Sequence, residues 1–284
     1  IGWCDWSSDV CSSDLLRPTQ FSATQIETWM TDPYAFFAQK ILRLRPLDPL
    51  DQEADDRIRG IILHAALERI MDDGTYHHMT RVIHDLLNEY GVDPSLRAFL
   101  FPRLMNILNR AEEFDRAWRS NGHTPLGVEQ TWDLELDIQG EIYHVTARLD
   151  RLDQDLNENG TVIDYKTGAA LLTFKDIELG VACQLIIQAL CVRNGVHTTT
   201  RLPFRGQVMG AALWHLKPRG VKAMSIDRDD PDLNLNDLCD QAHQGISNLI
   251  QVFQQIETPY YPIPDPSKMP NRLTYDHLSR RKIW

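Results

Sequence analysis

Through the first 120 residues, apolar positions recur at helical spacing. Ser22 with Gln25 three positions later is a capping-box signature, and Ile26, Trp29 and Met30 follow at helical intervals, so a helix starts there. Asp32-Pro33 restarts a helix, and "YAFFAQKIL" gives it an aromatic face. After the polar, proline-bearing "RPLDPLDQEADD", residues 57–71, "RIRGIILHAALERIM", place Ile58, Ile61, Ile62, Ala65 and Ile70 on a helical pattern, with Gly60 and His64 one turn apart. Helical patterns continue through "TRVIHDLLNEYG" and "PRLMNILNRAEEFDRAWRSNG" and end near Gly122.

From Val128 the period becomes two. "WDLELDI" alternates, "QG" turns, "EIYHVTARLDRLD" follows as one strand, "NENG" turns with Asn159-Gly160 as the hairpin signal, and "TVIDYKTG" closes a three-stranded meander. "FKDIELGVACQLIIQALCVRNG" then reads as helix, "GQVMGAALWHL" as strand and "LNDLCDQAHQGISNLIQVFQQI" as helix. The order β-β-β-α-β-α predicts an α/β fold, a mixed sheet with helices packed on it. The predicted organisation is a helical portion over 16–127 and a core with carboxyl-terminal helices over 128–284.

A chain of 284 residues with 43% hydrophobic content can bury a sizeable core. No run of about 18 apolar residues and no leader pattern occurs, so the expectation is a cytoplasmic protein without a membrane partner. The five cysteines include no C-x-x-C pair, against a zinc ribbon or disulfide framework. Residues 1–15, "IGWCDWSSDVCSSDL", follow neither period and resemble adaptor DNA translated in frame, a non-native segment to be set aside. Leaving out its three aspartates changes the formal charge from −11 to −8. Either value repels nucleic acid overall, so any such contact needs a local groove or bound cations.

Candidate chemistry concentrates in "GTVIDYKTG". Asp164 and Lys166 lie two apart on a strand and share a face, as a surface ion pair or as a catalytic edge. An antiparallel hairpin sets Asp150 roughly opposite Asp164, and like charges across a strand pair are destabilising unless a cation bridges them. Two converging carboxylates suit Mg²⁺, and a nearby lysine can polarise a water or offset charge on a phosphodiester. His64 could add a nitrogen ligand, and Gln184 could hydrogen-bond the lysine, a water or a phosphate. The plain alternatives are an exposed ion pair, a core histidine and a buried amide.

The joint order of GIILH, ARLDRLD, VIDYKTG and a helix opening QL resembles the RecB-like branch of the PD-(D/E)XK nucleases. The resemblance covers residues 18–284, and the end "YDHLSRRKIW" is similar to that of AddB-type helicase-nuclease subunits. It implies a restriction-endonuclease-like sheet flanked by helices. It also implies His64, Asp150, Asp164 and the Tyr165 carbonyl as metal ligands, Lys166 as the catalytic lysine, and Gln184 orienting DNA or the lysine. The implied activity is Mg²⁺-dependent hydrolysis of DNA, with Mn²⁺ as a substitute, on single-stranded ends during double-strand-break repair and recombination. The implied partners are an AddA-like subunit and a missing amino-terminal helicase-like part. Ala147 replaces the usual glycine, and Gln188 stands where relatives carry a tyrosine. Asp32 replaces the first of four cluster cysteines and none follows Cys239, so no iron–sulfur cluster is expected. The alternatives are a catalytically silent scaffold or DNA-binding module of such a complex, or a stand-alone RecB-like exonuclease.

Overall fold

The computed structural model describes residues 17–45, 54–72, 76–168, 173–178, 180, 183–231, 233–255, 257–265 and 275–279. The segment 1–15 and the last five residues of "YDHLSRRKIW", 280–284, lie outside the described residues.

The Ser22 capping box is formed in both directions, with Gln25 N donating to Ser22 Oγ at 3.2 Å and Ser22 N to Gln25 Oε1 at 3.0 Å. It opens α1 (Ala23–Thr31), after a short strand β1 (Gln20–Ser22). Asp32 caps α2 (Pro33–Phe36), which continues as a π turn over Phe37–Ile41. Three helices follow: α3 (Ala54–Asp72), α4 (Met79–Glu89) and α5 (Pro94–Ser120). Next come β2 (Thr124–Val128), β3 (Thr131–Ile138), β4 (Glu141–Arg148), β5 (Arg151–Gln154) and β6 (Gly160–Lys166). The remainder is α6 (Phe174–Glu178), α7 (Gln184–Asn194), β7 (Val196–His197), β8 (Val208–Lys217), β9 (Gly220–Asp227), α8 (Leu235–Gln254) and α9 (Asp276–Ser279).

The strands form two mixed sheets, β1-β4-β3-β7 and β2-β5-β6-β8-β9. "EIYHVTARLDRLD" is therefore two strands rather than one. The register Val128↔Arg151 in one sheet continues as Thr131↔Arg148 in the other, so a single antiparallel pair passes through a corner at residues 129–130 and 149–150. Leu149 N donates to Gln130 O at 2.8 Å and Glu129 N to Asp150 O at 3.1 Å across it, while Glu129 takes φ 50°. Asp150 sits in that corner, clear of the ladder.

Other departures from the sequence pattern have local causes. The "QG" turn holds Gln139 and Gly140 both at positive φ, with Gly140 N donating to Asp137 Oδ1 at 2.9 Å. In "NENG" the left-handed residue is Glu158, Asp155 accepts from the amides of Asn157 and Asn159, and Gly160 already belongs to β6. The long helix expected over 174–195 is two helices, α6 and α7. The hairpin strand β9 adds an element that the periodicity does not predict; it pairs antiparallel with β8 after a turn at Gly220, φ 138°.

Side chains divide between two cores. One joins α1, α7 and α8 to β3, β4 and the even positions of β6, including Val162. The other packs α3, α4 and α5 on the opposite face of β6 and β8, where Ile163, Tyr165, Ala212 and Trp214 point. β6 therefore runs between helical layers, paired antiparallel with β5 and parallel with β8. Both layers reach its carboxyl end.

Candidate active site

The β5–β6 register of Arg151↔Ile163, continued by one step, sets Asp150 across from Asp164. Asp150 Oδ2 accepts a hydrogen bond from Tyr165 N at 2.7 Å, which holds the corner against the end of β6. His64 arrives from the α3 layer, with Nδ1 3.6 Å from Asp150 Oδ2 and its ring edge-on to Tyr165, centroids 6.2 Å apart. Gly60, one turn before, explains the close approach: a Cβ there would lie 3.0 Å from Thr167 Oγ1 in the loop after β6.

Asp164 points the other way, toward α7, and is 2% exposed. Its Oδ1 accepts from Gln184 Nε2 at 3.3 Å and from Gln188 Nε2 at 3.2 Å. Its Oδ2 takes no amide donor and is met by the Lys166 ammonium, with Nζ at 2.7 Å. Lys166 also donates to Gln184 Oε1 at 3.4 Å, so the one amide touches both members of the pair. The structure thus brings Asp164, Lys166 and Gln184 into direct contact, and separately joins His64, Asp150 and the Tyr165 backbone beside them. The Tyr165 side chain packs in the helical core, 4% exposed.

Charge states follow from burial and neighbours. Burial pushes the Asp164 carboxyl up, against the pull of Lys166. Burial works against the Lys166 ammonium, but Asp164 outweighs it and the net shift is upward. His64 is likewise disfavoured as a cation by burial, yet Asp150 beside it raises its proton affinity overall.

Glu27 of α1 is a member that periodicity did not reveal. Its Oε2 accepts from Gln184 N at 3.1 Å, capping α7, and burial raises its pKa above the usual 4.5 despite that bond and the nearby Lys166. A signal was present: on a helix Glu27 shares a face with Ala23 and Met30, a charge on the apolar stripe.

The residues fit a divalent cation. Two carboxylates and an imidazole are oxygen and nitrogen donors that a divalent cation takes, and Asp164 Oδ2 is a buried carboxylate oxygen met only by the Lys166 ammonium. An open groove of 670 Å³ runs beside the site, lined by His64, Asp150, Thr167 and Gln184 together with Glu68, Glu129 and Arg148; Asp164 and Lys166 do not line it. Among the described residues, a tighter cluster of ligand atoms lies elsewhere: those of Asp133, Glu135 and His144 fall within 4.8 Å of one another. Arg201 spans that group, 3.2 Å from Asp133 and 3.4 Å from Glu135, and already supplies a cation there.

A second set of buried charges braces the site. Arg151, 0% exposed, holds Asp153 through Nε and Nη2, at 2.5 and 2.6 Å, and Asp115 of α5 through Nη1 at 2.6 Å. Trp118 Nε1 donates to Asp153 at 2.8 Å, and the guanidinium stacks over Trp214 at 5.2 Å. Arg-x-Asp at same-face spacing inside a buried strand was the sequence signal for it. No described helix is long and apolar enough to cross a membrane.

An uncharacterized protein of Rickettsia bellii is 31% identical over 186 residues, covering 63% of this chain and 22% of its own length. The B-type subunit of the ATP-dependent helicase/deoxyribonuclease of Bacillus cereus is 26% identical over 227 residues, 69% of this chain and 19% of its own. The chain therefore spans about a fifth of the length of these curated relatives. The crystal structure of SSO0001 aligns over 93% of this chain and 97% of its own, at 11% identity and a TM-score of 0.37. The family model of the PD-(D/E)XK nuclease superfamily matches residues 20–265, a span that contains both helical layers, the corner and β6. With that match over most of its length, the chain belongs to the PD-(D/E)XK nuclease superfamily.

Proposed function

We propose that the chain is the Mg²⁺-dependent deoxyribonuclease domain of an AddB-type helicase-nuclease subunit, hydrolysing phosphodiester bonds of single-stranded DNA ends in double-strand-break repair. The carrying observation is that two contact sets, His64 with Asp150 and Asp164 with Lys166 and Gln184, lie side by side at the carboxyl end of one buried strand. The similarity to the Bacillus cereus helicase/deoxyribonuclease supports the larger assembly, with an AddA-like partner and a helicase-like part of the same subunit.

In this reading Asp150, Asp164, neutral His64 and the Tyr165 carbonyl hold the cation. A bound Mg²⁺ would supply Lewis-acid stabilisation of the charge that develops on the phosphodiester and would favour ionisation of the attacking water. Lys166 keeps its proton because Asp164 stabilises the ammonium, so it offers fixed positive charge where the phosphoryl oxygens gain negative charge. Gln184 orients both groups by touching each. The groove is open to solvent and reaches His64, Asp150 and Gln184, which supports access of a strand to them. Formal charge of −11 leaves phosphate attraction to local cations and to partner subunits.

The test is release of nucleotides from labelled single-stranded DNA in Mg²⁺. Lys166→Ala should lower the rate at least about 100-fold while leaving cation binding, and Asp164→Ala should remove both. Cleavage unchanged in either variant would sink the assignment. A silent scaffold would show no metal-dependent cleavage in the unaltered chain.

A further inference from the structure

The helix α7 is buried continuously from Leu185 to Val192, and the polar side chain at its centre, Gln188, is 1% exposed. Its Nε2 donates both hydrogens, one to Asp164 Oδ1 at 3.2 Å and one to the Arg148 carbonyl at 3.0 Å. These acceptors fix the amide's orientation, because turning it over would press Oε1 against a carboxylate and a carbonyl. The orientation has a cost: Gln188 Oε1 is buried with no partner. A helix interior keeps such an orphan atom when the other end of the amide is needed.

Gln184, one turn earlier on α7, donates to the same Asp164 Oδ1 at 3.3 Å. Asp164 Oδ1 is thus held by two amide donors, while Oδ2 has none and faces Lys166. Arg148, the other acceptor, lies two residues before Asp150, on the near side of the corner.

We infer that Gln188 is a positioning residue of the site: it occupies Asp164 Oδ1, so that Asp164 binds the cation through Oδ2 alone, and it ties the strand end before Asp150 to that same carboxylate. One amide then sets the separation of the two acidic ligands. This rests on the metal-site reading above and adds which oxygen binds and what aims it.

The measurement is Mn²⁺ titration of the whole chain by calorimetry, with thermal melting of the metal-free protein alongside. Gln188→Met keeps the side chain's length and removes both donations; Mn²⁺ affinity should weaken about 10- to 100-fold, as for loss of groups that orient metal ligands. Gln188→Glu keeps the shape and sets an anion beside Asp164, and should weaken affinity at least as much. Ile187→Val, a packing change on the same helix, should lower the melting midpoint and leave affinity alone. Wild-type affinity in both Gln188 variants, whatever their melting points, overturns the inference with the metal site intact. Absence of saturable Mn²⁺ binding in the unaltered chain overturns the metal reading itself, and the inference with it.

Discussion

At the scale of single residues, the site is a set of groups whose charges are met by one another. Lys166 faces Asp164 at 2.7 Å and is also attracted by Asp150 and Glu27, so one cation serves a cluster of acids. Glu27 is where this arrangement weighs on stability. Burial raises its pKa above 4.5, so the folded state holds its proton more tightly than the unfolded chain does. Between 4.5 and the raised value the native protein binds the extra proton, and stability falls as pH rises through that window. Glu27→Gln keeps an acceptor for Gln184 N and cannot ionise. Its stability relative to the parent chain, measured by urea unfolding, should therefore increase from pH 4 to pH 7. A constant difference across that range would contradict the burial argument.

Among the elements, β6 and the corner that feeds Asp150 to it decide the geometry. The Arg151 network fixes β5 against α5 and hence the register that places Asp150 across from Asp164. Arg151→Met leaves Asp153, 0% exposed, without its guanidinium, and should destabilise the chain by about 3–5 kcal/mol in urea unfolding. A loss below about 1 kcal/mol would show that the register is held by the apolar layers instead. Much at this scale was legible in the chain: the capping box at Ser22, the His64 helix, the β6 strand and the crossing of Asp150 with Asp164 all follow from spacing. The corner was marked only by a slip of phase: Tyr143, Val145, Ala147 and Leu149 hold the odd positions, and after the polar pair Asp150-Arg151 the apolar residue is Leu152, a break too short to read as the end of a strand. Glu27 and Gln188 were not legible as site members either, since their contacts join helices to strands distant in sequence. β9 escaped because its alternation "VKAMSID" is mostly exposed and carries one deeply buried residue, Ile226.

For the whole molecule, two helical layers clasp a central strand, and each contributes to one end of it. α3 brings His64 from one side, and α7 brings Gln184 and Gln188 from the other, so the site exists only when both cores are packed. The acidic balance of the chain means that any phosphate contact it makes depends on local cations rather than on its overall field. Among the described residues two acidic clusters are candidate cation sites, and each already faces a protein cation: Arg201 lies 3.2 Å from Asp133 and 3.4 Å from Glu135, and Lys166 lies 2.7 Å from Asp164. The most direct test is the anomalous-scattering map of crystals grown with Mn²⁺. The expected result is an ion between Asp150, Asp164 and His64; an ion on Asp133, Glu135 and His144 with none at the end of β6 would contradict it.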